Sequence, residues 1–438
     1  MAGAFTHRDG ALHAESVPLE RVAEEHGTPV YVYSRSAIVE RFDAFDAAFA
    51  PVERLIAFSV KANGNLSILR LLAGRGAGAD IVSGGELYRA CRAGVPPERI
   101  VFSGVGKDVA EMDAALDAGI YGFNVESAHE LRVLADRAAA KGVRAPIALR
   151  VNPDIEPPTP HHYTRTGHLA TKCGVPAERA LELYRAAAAS PALEVRGIDA
   201  HIGSQIRDVE PYRRTVFQLL ELVDTLRGEG IELEYIDLGG GFGVSYDGAG
   251  EADGAADEEG RGPGPDDFAG AIAPHVAASR LRLVLEPGRF IVGPAGVLLA
   301  RVLHVKRSGD KTFVITDAGM NDLLRPSHYA GYHRVEPVRR RGERARVRAD
   351  IVGPICETGD FLALDRELER PEPGDLLAVR TTGAYGFTMA STYNARPRPA
   401  EVLVDGDAGR LIRRRERYED LVRGETESFG TRRCATGS

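Results

Sequence analysis

A lysine, Lys61, closes the apolar run Leu55-Ile56-Ala57-Phe58-Ser59-Val60 within FSVKAN. Its amine can add to a carbonyl carbon and hold it as an imine. Three further polar features end apolar runs in the same way: His201 in HIGSQ, the glycines Gly239, Gly240 and Gly241 in GGGFG, and Glu286 ahead of Pro287-Gly288-Arg289. An imidazole carries protons, a carboxyl holds or passes one, and exposed glycine backbone offers N–H donors to an anion. Each has a plainer reading. Lys61 can snorkel to water, GGGFG can be a tight turn, His201 a hydrogen-bonded core residue, and Glu286 a structural partner for a lysine or arginine. What separates the readings is whether the four share one place.

From about residue 36 to 290, short β-branched runs alternate with segments of helical period, as Ala180, Leu183, Tyr184 and Ala187 show. Strands are expected at 54–60, 78–83, 99–104, 121–126, 145–152, 195–202, 235–239 and 282–286. Eight such units in about 250 residues match an α/β fold of the (β/α)8 TIM-barrel kind, with a doubly wound open sheet as the rival. After Pro287 the texture changes to β-rich segments parted by Gly, Asp and Pro turns, which predicts a C-terminal antiparallel β-domain. VYVYS (30–34) is a candidate strand of that domain. The expected organisation is an N-terminal segment 1–35 contributing to the β-domain, a barrel 36–290, a β-domain 291–424 and a disordered tail 425–438. The Gly- and acid-rich stretch 247–267 reads as a mobile surface insertion within the barrel.

A barrel puts its active site at the C-terminal strand ends. Lys61, His201, the glycine run and Glu286 all fall there, and Asp80 lies inside the second strand, GADIVS. Barrel closure makes the last strand a neighbour of the first, so Glu286 and Lys61 face one mouth. Lysine, carboxylate, imidazole and a glycine cradle on one mouth favour a pyridoxal phosphate site: the aldehyde needs an amine, the phosphate N–H donors, and the ring nitrogen an acidic partner.

The chain resembles the alanine-racemase-like, fold-type III pyridoxal phosphate decarboxylases, and within them the diaminopimelate-specific branch. FSVKAN, GADIVSGGELYRA, RVNPDIEP, HIGSQI, LGGGFGVSY, EPGRFIV, DAGMNDLLRPSHY, GPICETGD and GAYGFTMASTYNARPRPAEVLV carry the likeness in order over about residues 15 to 424. The resemblance implies that Lys61 forms the Schiff base, Asp80 is its charge neighbour, His201 stacks on the cofactor ring and Glu286 partners the ring nitrogen. It implies that Ser204, Gly239, Gly240, Gly241, Gly288 and Tyr385 bind phosphate. Arg289, Arg325 and Tyr329 match positions that hold the substrate's distal carboxylate; Arg289 and Tyr385 count toward both cofactor and substrate. Glu357 matches the residue that recognises the distal amino group. Cys356, the expected proton donor, and Glu357 are implied to reach the site across a homodimer interface. The implied reaction is decarboxylation of meso-2,6-diaminopimelate to L-lysine. Alternatives are a diamine-forming decarboxylase acting on ornithine or arginine, a relative recruited to another amino-acid derivative, and a non-catalytic single-barrel cofactor carrier.

Composition narrows the classes. With 44% hydrophobic and 27% charged residues and a net charge of −8, the chain has no general reason to bind nucleic acid or anionic membrane. No run approaches the roughly 18 apolar residues of a membrane span, and MAGAFTHRDG lacks a signal-peptide core, so a cytoplasmic location is expected. Cys91, Cys173, Cys356 and Cys434 show neither pairing nor metal-ligand spacing, and no metal site is expected. One stretch departs from the family pattern: PTPHHYTRTGH carries the pair His161-His162, read as loop residues, and KCG puts Cys173 where the family has a larger apolar residue.

Overall fold

The computed structural model describes residues 4–161, 163, 171–246, 262–342 and 344–426. A small N-terminal sheet, β1 (Phe5–Arg8), β2 (Ala11–Ala14) and β3 (Val17–Pro18), leads into α1 (Leu19–His26), β4 (Val30–Ser34) and α2 (Arg35–Ala48). Parallel strands follow: β5 (Arg54–Ser59), β6 (Gly78–Ile81), β7 (Ile100–Phe102), β8 (Gly122–Val125) and β9 (Ala145–Asn152). After the two-residue β10 (Val175–Pro176), which flanks β9, come β11 (Leu193–Asp199), β12 (Tyr235–Asp237) and β13 (Arg282–Leu285). β13 pairs with β5, Leu285 against Ile56, and β8 with β9, so the expected eight-stranded barrel is closed.

The outer helices are α3 (Leu66–Ala73), α4 (Gly84–Ala93), α5 (Val109–Ala118), α6 (Ala128–Lys141), α7 (Ala177–Ala188), α8 (Glu210–Gly228) and α9 (Pro265–Ser279). Their ends follow local chemistry. The side chains of Ser83, Asp108 and Ser127 accept the N–H three residues on, and Gly94, Gly119 and Gly142 close the same helices in the left-handed conformation. α7 buries Ala180, Leu183, Tyr184 and Ala187, the four residues of the expected stripe. Pro265-Asp266-Asp267, expected at the end of the acidic insertion, instead open α9: Pro suits the first helical turn, and Asp267 accepts the Gly264 N–H at 2.7 Å. The rest of the expected insertion from 247 to 261, His162, Cys434 and most of the expected tail lie outside the described residues.

Strand periodicity builds the site floor. Alternate side chains point into the barrel, and Leu55, Ala57, Val101, Tyr121, Ala148, Tyr235 and Val284 form an apolar plug there. The Tyr235 ring fills so much of it that a Cβ at Gly197 would lie 2.4 Å from the ring, and one at Gly122 2.6 Å from the hydroxyl. Two residues beyond Ala57, Val101, Ala148, Tyr235 and Val284 of the plug, and beyond Gly78, Gly122 and Gly197 at the same level, the inward positions turn polar: Ser59, Asp80, Ser103, Asn124, Arg150, Asp199, Asp237 and Glu286, all buried. The step from plug to floor is the dipeptide period of the strands.

α10 (Arg289–Val292) ends the barrel. The second domain contains β14 (Gly296–Ser308), β15 (Lys311–Thr316), α11 (Arg325–Tyr329), β16 (Val335–Pro337), β17 (Arg346–Val352), β18 (Phe361–Glu369), β19 (Leu376–Val379), β20 (Ala400–Asp405), β21 (Ala408–Arg413) and α12 (Tyr418–Leu421). VYVYS is β4 and lies between β14 and β20. The sheet is mixed rather than purely antiparallel, since β4–β20 and β15–β17 run parallel. Neither pair is joined by a hairpin, so no tight turn dictates its direction. This domain grips the loop that carries Lys61: Asn63 Nδ2 donates to the Gly383 carbonyl at 3.0 Å, Tyr385 N–H to the Ala62 carbonyl at 2.9 Å, and Asn65 Nδ2 to Glu401 Oε2 at 2.9 Å.

Candidate active site

A cavity of about 780 Å³ opens over the polar floor at the C-terminal strand ends. Lys61, His201, Ser204, Gly240, Gly241, Glu286, Gly288, Arg289, Arg325, Tyr329 and Tyr385 line it. Asp80 lies beneath Lys61, and Gly239 beneath His201. Cys356 and Glu357 are exposed on the loop between β17 and β18 and do not line this cavity.

Lys61 Nζ donates to Asp80 Oδ2 at 2.7 Å. Burial works against its charge, but Asp80 and then Glu286 hold the ammonium ionised, and its pKa is raised. The Ser59 hydroxyl lies 2.6 Å from Asp80 Oδ2 and 2.9 Å from the Glu286 carbonyl, tying the first strand to the last. Glu286 is 2% exposed and accepts from Ser103 Oγ at 3.2 Å. Burial, with the charges of Asp237 and Asp80 added, pushes its pKa well above the ordinary carboxyl range, while burial and Asp199 push Asp237 up to about 8. The floor therefore stores protons. His201 goes the other way: burial and the cations Arg150 and Lys61 keep its imidazole neutral.

The glycine run is shaped by contact. Gly239 has φ +64°, and a Cβ there would lie 2.9 Å from the His201 ring; a Cβ at Gly240 would lie 2.3 Å from the Glu286 carbonyl oxygen. The loop is pinned from behind by Phe242, stacked on Tyr212 with centroids 4.9 Å apart, and by the Tyr212 hydroxyl, which donates to the Gly240 carbonyl at 2.8 Å. The amide N–H groups of Gly240, Gly241 and Gly288 have no acceptor among the described residues. Unused donors at a crowded cradle, one amine and one proton-holding carboxyl fit the phosphate, aldehyde and ring nitrogen of pyridoxal phosphate.

The far wall is cationic. Arg289, 8% exposed, donates through Nη2 to Ser204 Oγ at 3.1 Å and through Nη1 to the Tyr246 hydroxyl, and its guanidinium covers the Tyr385 ring at 4.6 Å. Arg325, 7% exposed, has its guanidinium 4.3 Å from the Tyr246 ring centroid and donates to His333 Nε2 at 2.7 Å. Neither arginine has a carboxylate partner among the described residues. His161 and Tyr163 complete the mouth, the His161 ring 5.8 Å from that of Tyr329. Cys173 also reaches the cavity, and among the described residues no cluster of metal-ligand type is present.

Several of these residues had no assigned role in the sequence. Tyr246 lies in the quoted motif LGGGFGVSY, where a tyrosine after glycines is an ordinary turn residue. His333 sits in AGYHRVEP with no pattern around it. The inward residues Ser103, Arg150 and Asp237 were open to detection through the two-residue step from the apolar plug, whereas Asn124 and Asp199 follow Gly122 and Gly197, which carry no apolar signal.

Residues 35–293 match the family described as pyridoxal-dependent decarboxylase, pyridoxal binding domain. The chain is 50% identical over 422 residues to a diaminopimelate decarboxylase of Pseudomonas aeruginosa, covering 96% of this chain and 98% of that protein. It is 49% identical over 416 residues to a diaminopimelate decarboxylase of Aquifex aeolicus, covering 95% and 96%. The fold is similar to the crystal structure of diaminopimelate decarboxylase from Helicobacter pylori complexed with L-lysine, with a TM-score of 0.86 and 41% identity over 92% of this chain and 98% of that one.

Proposed function

The chain belongs to the diaminopimelate decarboxylase family of pyridoxal-dependent decarboxylases, and from that premise we propose that it converts meso-2,6-diaminopimelate to L-lysine and carbon dioxide. The cofactor of the family is pyridoxal phosphate. One observation carries the substrate reading: Arg289 and Arg325 are buried beside the cavity with no carboxylate partner among the described residues. Burying an ion costs on the order of several kcal/mol even after relaxation, so two adjacent guanidiniums without a counter-ion await an anionic ligand. A distal carboxylate supplies it. Ornithine or arginine would bring a second cation to that wall, and the only acid lining the cavity among the described residues is Glu286, on the floor. A bare cofactor carrier would have no use for Arg325 and Tyr385, which come from the second domain.

Bound here, pyridoxal phosphate supplies an aldehyde for the substrate amine and a ring that takes up the electrons left when carbon dioxide departs. The glycine cradle with Ser204 and Tyr385 holds its phosphate, Lys61 offers the amine, and neutral His201 presents a flat face. Glu286 keeps a proton at its carboxyl for the ring nitrogen. Arg289, Arg325 and Tyr329 fix the far end of the substrate and so orient the reacting carboxylate. Once free, Lys61 Nζ is one proton donor to the substrate carbon; Cys356 Sγ from a second copy of the chain is the other and the one we favour. A homodimer with shared sites explains why Cys356 and Glu357 are exposed on their own chain; the second copy's Glu357 would meet the distal amine. The cytoplasm suits this soluble substrate, and no described helix is long and apolar enough to cross a membrane.

The test is carbon dioxide release from meso-diaminopimelate, lysine, ornithine and arginine in parallel. Release from meso-diaminopimelate alone is expected; a preference for ornithine overturns the reading. Cys356→Ala is expected to lower turnover by roughly 10²-fold or more, the usual worth of a positioned proton donor, with cofactor absorbance intact. Cys173→Ala is the control, and unchanged turnover in Cys356→Ala removes Cys356 from the role.

A further inference from the structure

The proposed distal clamp has an unusual pair of supports. Two guanidiniums crowd one wall, and burial together with the neighbouring Arg289 lowers the pKa of Arg325. The groups that accept their hydrogen bonds are a phenol and an imidazole rather than carboxylates, and, against the effect of burial, the two guanidiniums pull the Tyr246 hydroxyl below its ordinary pKa. The Tyr246 hydroxyl receives Arg289 Nη1, while the Tyr246 ring lies under the Arg325 guanidinium at 4.3 Å and edge-on to His333 at 5.0 Å. His333, fully buried, has Nδ1 2.8 Å from the Arg380 carbonyl oxygen, which can only accept. The ring proton is therefore on Nδ1, and the Nε2 lone pair accepts from Arg325 Nη1 at 2.7 Å. Burial and the charge of Arg325 hold the imidazole in that neutral form. The Nε–H groups of both arginines are buried without an acceptor among the described residues.

Carboxylates in place of these two residues would hold the arginines equally well but would cancel the charge that draws the ligand. A phenol oxygen and an imidazole lone pair orient the guanidiniums and leave both positive charges for it. We infer that Tyr246 and His333 are positioning residues that pre-form Arg289 and Arg325 as an uncompensated two-cation clamp, and that they thereby set selectivity for ligands with a distal carboxylate. This rests on the substrate reading above. It adds that selectivity depends on two residues that need not touch the carboxylate themselves.

L-Lysine and cadaverine test it, because they differ by one carboxylate and neither carries the second carboxylate that the reaction releases. Affinity for both is measured at equilibrium on the cofactor-loaded enzyme by calorimetry and by the change in cofactor absorbance. The native enzyme is expected to prefer L-lysine. Tyr246→Phe and His333→Leu are each expected to weaken L-lysine about tenfold or more, the scale of a misplaced binding group, with cadaverine changed less than about twofold. His333→Gln, whose amide oxygen replaces the Nε2 acceptor, is expected to keep the native preference. A native enzyme that does not distinguish the ligands overturns the substrate reading itself. Discrimination that survives in Tyr246→Phe and His333→Leu, or affinity lost equally for both ligands, overturns the positioning roles alone.

Discussion

Replacing Lys61 by alanine is expected to abolish turnover, a fall of roughly 10⁴-fold or more, and to leave no cofactor trapped on the chain after borohydride reduction. The cause lies first in charge. Lys61 follows β5 at the rim of the barrel floor, its Nζ 2.7 Å from a carboxylate that is itself wholly buried. Burial opposes the ammonium and Asp80 supports it, so the pair is held by mutual compensation. Alanine removes the amine needed to hold the aldehyde and also strands Asp80, whose remaining contact is the Ser59 hydroxyl. Breaking a fully buried pair costs on the order of 3–5 kcal/mol, and the cost here is lower because the Lys61 side chain is 30% exposed. The double variant Lys61→Ala/Asp80→Asn separates the two effects. It is expected to recover thermal stability toward the native value while remaining inactive. Mass spectrometry of the reduced protein locates the bond: a cofactor adduct persisting in Lys61→Ala would place the covalent link elsewhere.

Much of this arrangement was legible before the fold was known, for reasons that vary by residue. Lys61, His201 and Glu286 stand at the ends of apolar runs, and a barrel turns strand ends into one mouth, so their convergence followed from counting strands. The glycines of GGGFG were legible as a cradle; the cause of the crowding, the Glu286 carbonyl 2.3 Å from a Cβ at Gly240, needed the closure of β13 against β12 and β5. Arg325 and Tyr385 lie in a different domain from Lys61, and the resemblance to a family, rather than any local pattern, marked them. His333 and Tyr246 escaped because their roles come from the neighbours that folding supplies. A histidine is neutral and accepting only when something fixes its other nitrogen, and the Arg380 carbonyl that does so lies 47 residues away. The parallel pairing of β4 with β20 escaped for a like reason: it joins segments on either side of the whole barrel.

Replacing Glu286 by glutamine is the second large expected effect, and it tests the proton store rather than the covalent link. Glutamine keeps the shape and can still accept from Ser103, but it can neither give a proton to a ring nitrogen nor take one back. Turnover is expected to fall by on the order of 10² to 10⁴-fold, with the KM for meso-diaminopimelate little changed because the distal clamp is intact. Stability against pH supplies an independent reading. Glu286 has an ordinary pKa of 4.5, and burial with the charges of Asp237 and Asp80 raises it in the folded chain. Above 4.5 the unfolded chain has released this proton while the folded chain retains it, so the folded state binds more protons. Its stability must then fall as pH rises, until the folded pKa is passed. Asp237, raised to about 8, adds a slope of the same sign. Between weakly acidic and neutral pH these two carboxyls make the stability of the cofactor-free protein fall as pH rises, while the buried neutral imidazoles of His201 and His333 make it rise up to their ordinary pKa of 6.5. The Glu286 contribution is therefore read as the difference between the native protein and the variant. In Glu286→Gln the slope is less negative than in the native protein, because the proton that Glu286 retains is gone. Denaturant unfolding of both proteins across that range measures the difference. Equal slopes would mean that Glu286 is already ionised in the fold, and the proton offered to the ring nitrogen would have to come from another group of the floor.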